Sequence, residues 1–102
     1  MKLLTKEIKS KLPPLYANEN VPTKDVMVQV KFFTPDSNWT WYATEFDGKD
    51  MFFGLVEGFD KELGYFSLSE LESIRGPLGL HIERDMYWRS KTLGEIAPEL
   101  YS

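Results

Sequence analysis

Residues 39–57 read Trp39-Thr-Trp-Tyr-Ala-Thr-Glu-Phe-Asp-Gly-Lys-Asp-Met-Phe-Phe-Gly-Leu-Val-Glu57, and this stretch decides the fold. Its two halves, Trp39 to Phe46 and Met51 to Glu57, are rich in aromatic and β-branched side chains, which pack well on a pleated surface. Between them Asp47-Gly48 is a strong hairpin signal, because glycine enters the left-handed backbone region without steric cost. Two strands joined by so short a link must run antiparallel, since a parallel pair needs a crossover of a dozen or more residues.

The same reading extends in both directions. Upstream, Val26, Val28, Val30 and Phe32 alternate with Met27, Gln29, Lys31 and Phe33, the period of a strand with one buried face. Pro35-Asp36-Ser37-Asn38 supplies the turn that joins it to Trp39. Downstream, Gly58 to Glu62 reads as a turn and Leu63 to Phe66 as a short fourth strand. Ile82 to Trp88 is a candidate fifth. Thr5 caps a helix that presents Leu4, Ile8 and Leu12 on one face and stops at Pro13-Pro14. Ser67-Leu-Ser-Glu70 and Ser69-Glu-Leu-Glu72 are overlapping capping boxes for a second helix, closed by Gly76-Pro77. Thr92-Leu-Gly-Glu95 caps a last short helix that Pro98 interrupts. The expected architecture is α+β, one domain over residues 1–102, with an antiparallel four- to five-stranded meander and two or three short helices.

At 102 residues the chain is long enough to bury roughly 65% of the surface that its unfolded form exposes. Its 42% hydrophobic and 27% charged composition is ordinary for a globular domain, whereas 15% aromatic residues is high. No cysteine is present, which excludes disulfides, thiolate catalysis and cysteine-bound zinc, and points to a cytoplasmic protein. Lys6, Glu7, Lys9 and Lys11 interrupt any signal-peptide h-region, and no stretch approaches the roughly 18 apolar residues of a membrane span. The net charge of −4 conceals an asymmetry: residues 36–72 carry nine acidic and two basic side chains. Such a block reads as a solvated sheet face or as a surface aimed at a basic partner.

Catalytic chemistry has little to stand on. His81 is the one histidine, so a paired-histidine metal site is excluded, and a lone histidine beside a turn reads as structural. Gly54 to Gly58 lacks the lysine and hydroxyl of a phosphate-binding P-loop. Glu45, Asp47, Asp50 and Glu57 are oxygen donors that a hard cation such as Mg²⁺ would accept if they converged. Arg84, between Glu83 and Asp85, can order a binding site or pair with its neighbours. Aromatic sheets stack single-stranded nucleic acid when a basic groove follows the backbone. Here the acidic block occupies the same strands, which disfavours nucleic acid as a partner.

The strings Leu3-Leu-Thr-Lys-Glu7, Lys11-Leu-Pro-Pro-Leu-Tyr16, Lys31-Phe-Phe-Thr-Pro-Asp36, Trp39 to Gly48, Phe52-Phe-Gly-Leu-Val-Glu-Gly58, and Leu63 to Leu68 running on to Ile82-Glu-Arg-Asp85 carry a resemblance. The chain resembles the bacterial family of unknown function numbered 2958. That resemblance implies a small accessory protein of plasmids, phages or other mobile elements, with no catalytic residues to transfer. The position of His81 is often proline in that pattern, which lowers it further as a catalyst.

The leading expectation is a non-enzymatic protein-binding module of such an element, including the possibility of an acidic inhibitor of a host defence system. The alternatives are a small divalent-cation enzyme using sheet carboxylates, and a direct nucleic-acid binder using Lys2, Lys6, Lys9, Arg84 and Arg89. No cofactor is expected. On the two middle strands apolar residues occupy both alternating sets: Trp39, Trp41 and Ala43 against Tyr42 and Phe46, then Met51, Phe53 and Leu55 against Phe52 and Val56. One sheet face cannot bury both sets. An exposed aromatic patch is therefore expected near Trp39 and Trp41, rimmed by Glu45 and Asp47, as a homodimer contact or a protein partner's site. The candidate binding residues are Trp39, Trp41, Glu45, Asp47 and Arg84.

Overall fold

A computed structural model describes residues 1–101. The elements, in order, are α1 (Lys6–Lys11), a 3-10 turn (Thr23–Asp25), β1 (Met27–Val28), β2 (Val30–Phe33), β3 (Thr40–Phe46), β4 (Met51–Glu57), β5 (Lys61–Ser67), α2 (Leu68–Ser73), β6 (Glu83–Arg84), β7 (Lys91–Thr92), α3 (Leu93–Ile96) and α4 (Pro98–Tyr101). The fold is α+β. Five strands form an antiparallel sheet in the order β5-β4-β3-β2-β6, and β1 pairs with β7 beside it.

The meander β2 to β5 follows the sequence reading, with three differences. The strand expected over Val26–Phe33 is broken at Gln29: Val28 belongs to a core with Val26, Tyr42, Leu55, Leu93 and Ala97, whereas Val30 belongs to a second core with Phe32, Trp41, Phe52 and Leu71. The expected turn Gly58–Glu62 is shorter, because Lys61 and Glu62 already pair with Glu57 and Val56. The candidate fifth strand Ile82–Trp88 contracts to Glu83–Arg84, which pair with Phe33 and Phe32 at the far edge. Among the described residues the outer edge of β5 has no strand beside it.

A bulge in β3 explains how both sets of apolar residues find cover. Ala43 pairs with Gly54 and Glu45 with Phe53, so Thr44 is the extra residue between them. One inserted residue moves every following side chain to the opposite face. Phe46, expected with Tyr42, is thereby turned to the face of Trp41 and Ala43. There it forms a cross-strand row with Phe52 and Phe66, at ring separations of 4.5 and 5.3 Å. Such aromatic pairs add about 0.5–1.5 kcal/mol beyond their area of burial. Leu3, Leu4, Leu12 and Leu71 cover this first face, and the C-terminal segment with Leu93 and Ala97 covers part of the second.

The helices are short and closed by local chemistry. Thr5 accepts the amide of Ile8, and Ser67 accepts that of Glu70, each satisfying an orphan donor of a first turn. Ser69, the alternative cap, instead bonds Asp50 through both its amide and its hydroxyl. Helix α2 ends at Ser73 with Ile74 extended, ahead of Gly76-Pro77. At Thr92 the reciprocal capping box with Glu95 is complete, and Pro98 opens α4 at the first helical position, where its missing N–H costs nothing.

Candidate functional site

The five residues singled out from the sequence do not gather at one place. Glu45 is only 5% exposed; its carboxylate oxygens accept the backbone amides of Tyr16 at 2.8 Å and Asn18 at 3.1 Å. The bulge at Thr44 aims it to this side of the sheet, opposite Trp41. It fastens the Leu15–Thr23 loop there, and Tyr16 takes the uncommon φ of +71° in doing so. Asp47 is exposed, and its Oδ1 accepts the amides of Lys49, Asp50 and Met51. Those three bonds hold its carboxyl below the ordinary carboxylate pKa. Gly48 completes this turn at φ +85°, as the hairpin reading requires. Arg84 donates from its guanidinium to the carbonyls of Lys2 and Leu3, fastening the N-terminal segment. Backbone partners therefore occupy all three charged groups.

The carboxylates expected to converge on a cation are dispersed. Asp50 bonds Ser69, Asp47 bonds its own turn, and Glu57 lies 3.7 Å from Lys61 at the opposite end of the hairpin. Among the described residues no group of three His, Asp or Glu side chains is placed to hold a metal ion. His81 is exposed, in an isolated bridge with Arg75.

The two tryptophans do come together. Trp41 is 5% exposed, so the expected exposure of this side chain is corrected: the segments covering the first face reach over it. Trp39 is half-buried and stacks on Trp41 at 5.9 Å with the planes 27° apart, and Phe59 meets Trp39 edge-on at 5.4 Å. Phe59, at the tip of the β4–β5 hairpin, is 95% exposed. The three rings thus form a continuous run from core to solvent. Gly58 permits it: a Cβ there would lie 2.6 Å from Trp39 Cε3.

Beside this run a groove of about 420 Å³ opens between the sheet and the chain that follows α2. Trp39, Trp41, Val56 and Ile74 form its apolar wall, and Glu70 and Arg75 stand at its rim. Glu62 extends the cross-strand row Trp41–Val56 at its open end, and Asp60 lies on the hairpin tip. Of these acidic residues Glu70 lines the groove together with Arg75, while Glu62 and Asp60 lie on the neighbouring hairpin. The exposed ring of this aromatic surface is Phe59, with Trp41 covered and Trp39 half-buried, and Glu45 and Asp47 lie away from it. Phe59, the most exposed ring, carried no sequence signal beyond its place in a Gly-Phe-Asp turn.

No helix of the described residues is long and apolar enough to cross a membrane. Searches of the curated proteins and of the solved structures find no match. The model of the family described as a protein of unknown function (DUF2958) matches residues 3–96. Its span takes in the first core, the second core except Ala97, the bulged strand and the tryptophan groove, and the chain belongs to this family.

Proposed function

We propose that the chain is a protein-binding module without catalytic chemistry of its own, which holds an apolar side chain of a partner against Trp39, Trp41 and Phe59. The observation that carries this reading is the ring run itself, which ends in a fully presented aromatic beside a formed groove. Aromatic anchors in a partly formed pocket are the usual centres of protein interfaces, and an exposed ring flanked by carboxylates suits a basic segment around the anchor. In the setting that the resemblance suggests, a plasmid or phage accessory, the partner is a host protein with a basic surface. The cation-dependent enzyme reading is weaker, because the carboxylates it needs are committed to separate partners.

A photo-reactive benzophenone side chain placed at Ser37, on the groove rim, tests the proposal in cells. A single protein should be captured there, and not from the same group at Lys9, which lies near Phe46 and Lys49 at the other end of the sheet. Trp39→Ala should abolish the adduct. An adduct of twice the chain's mass identifies a second copy as the partner. Capture that persists with Trp39→Ala, or no capture at all, overturns the reading.

A further inference from the structure

On the other face of the sheet, a second cavity of about 270 Å³ lies between the Leu15–Thr23 loop and strands β3 to β5. Three rings line it: Tyr16, Phe53 and Tyr65. Phe53 and Tyr65 meet edge-on at 5.0 Å, and the hydroxyls of Tyr16 and Tyr65 are 3.4 Å apart. Glu19 and the buried Glu45 also line it. No lysine or arginine lines the cavity, and among the described residues Glu45 has no basic side chain within ion-pair distance.

A carboxylate this deeply buried is costly unless its charge is compensated. Two amide donors compensate Glu45 in part, and each of its oxygens keeps a lone pair. The faces of aromatic rings are also electron-rich and attract cations within about 6 Å. Glu45 and Glu19 are the charged residues of the cavity lining, and the remaining wall mixes neutral polar side chains, Asn18, Thr23 and Thr44, with aliphatic ones. The volume lies at the small end of ligand pockets, which fits a compact head group or one side chain.

We infer that this cavity binds an alkylated ammonium group, held between Tyr16, Phe53 and Tyr65 with Glu45 as its counter-charge. A small strongly hydrated ion gains less there, because the rings do not replace its water, whereas methyl substituents lower the hydration and fill the cage. The phenol of Tyr65 is held above the ordinary tyrosine pKa, first by its bond to Tyr16 and also by the charge of Glu45. It is therefore neutral at physiological pH and contributes its ring face without a charge.

The test is an amide-resolved NMR titration with choline and with 3,3-dimethylbutan-1-ol, which has the same shape without the charge. Choline should give saturable shifts at Tyr16, Asn18 and Tyr65, and bind about tenfold more tightly than the neutral alcohol. Tyr65 is 52% exposed, so Tyr65→Ala leaves the fold intact and should weaken choline about tenfold. Tyr87→Ala, on a remote exposed ring, should change nothing. Glu45→Gln is expected to abolish binding but also loosens the loop. Glu19→Gln, which lies outside those loop-fastening bonds, therefore serves as the second charge variant and should weaken binding severalfold. A trimethyllysine peptide in a parallel arm distinguishes a protein side chain from a free metabolite, according to which binds more tightly. Equal affinity for choline and the alcohol, no saturable shift with either cation, or no loss with Tyr65→Ala overturns the assignment.

Discussion

Gly54 and Gly64 stand next to each other in one cross-strand row with Ala43, and the same substitution should move stability in opposite directions at the two. A Cβ on Gly54 would lie 2.9 Å from the carbonyl carbon of Tyr42 and 3.0 Å from Ala43 Cα, and closer still to the Tyr42 carbonyl oxygen. Those atoms are backbone of the central strand at its bulge, so no side-chain rotation relieves the overlap. Ordinary contact begins near 3.4 Å, and the two strands must separate by at least several tenths of an ångström where their ladder bonds are made. Overpacking of this kind costs about 1–3 kcal/mol, and weakened ladder bonds add about 1 kcal/mol each. Gly54→Ala should therefore destabilise by about 3 kcal/mol or more, lowering Tm by on the order of 12–24 °C. At Gly64 a Cβ meets nothing within 4 Å, and the backbone is not in the left-handed region. There, alanine should stabilise by about 0.5–1 kcal/mol through lost freedom of the unfolded chain. Urea denaturation of both variants, checked by thermal melts, measures the pair. A Gly54→Ala value within about 0.5 kcal/mol of that for Gly64→Ala would refute the close approach of β3 and β4 at the bulge.

Leu71 is 0% exposed, and Leu71→Ala should cost about 2–4 kcal/mol, whereas the half-buried Ile74 should cost about 1 kcal/mol on truncation; equal losses at both in chemical denaturation would misplace α2. His81→Ala should leave the unfolding midpoint within the range of a surface control such as Glu72→Ala, since its side chain is exposed; a larger drop would give it a structural role. Asp47 has a lowered pKa in the folded state. Its stabilisation is thus complete above the unfolded carboxylate range and is lost as pH falls through the folded value. Asp47→Asn should accordingly lower Tm at neutral pH, with a difference that shrinks on acidification; a pH-independent difference would assign the effect to something other than these three hydrogen bonds.

Features decided within a few residues were legible in the sequence. The Asp47-Gly48 turn, the caps at Thr5, Ser67 and Thr92, and the alternation along Val26–Phe33 each depend on neighbours along the chain. The bulge left no mark on β3 itself. Its trace is Gly54 on the partner strand, which is intelligible only once Ala43 is known to lie opposite. The break at Gln29 is invisible for a related reason: valine satisfies both cores, so the period of two runs through it unbroken. Lys61 and Glu62 read as a turn because an edge strand has solvent on one side and tolerates charge. The candidate site divided along the same line. Trp39 and Trp41 were apparent from composition, but the partners of Glu45 lie 27 and 29 residues away in sequence, and no local pattern announces them.

The break at Gln29 also bears on how the molecule opens. The elements on the Val26–Val28 side, β1, β7, α3 and α4, meet the main sheet through that core and the exposed Lys61–Glu99 ion pair, while Gln29 itself keeps a bond to Ala43. This assembly can lift away about Gln29 while the five strands remain paired. Amide protons of Leu93 and Ala97, bonded to Val26 and Leu93, should then exchange with solvent ahead of those in β3 and β4, giving two tiers of protection in one small domain. Each such excursion would bare Tyr42 and Leu55, making the segment from Lys91 to Tyr101 a reversible cover over surface that the folded state keeps dry.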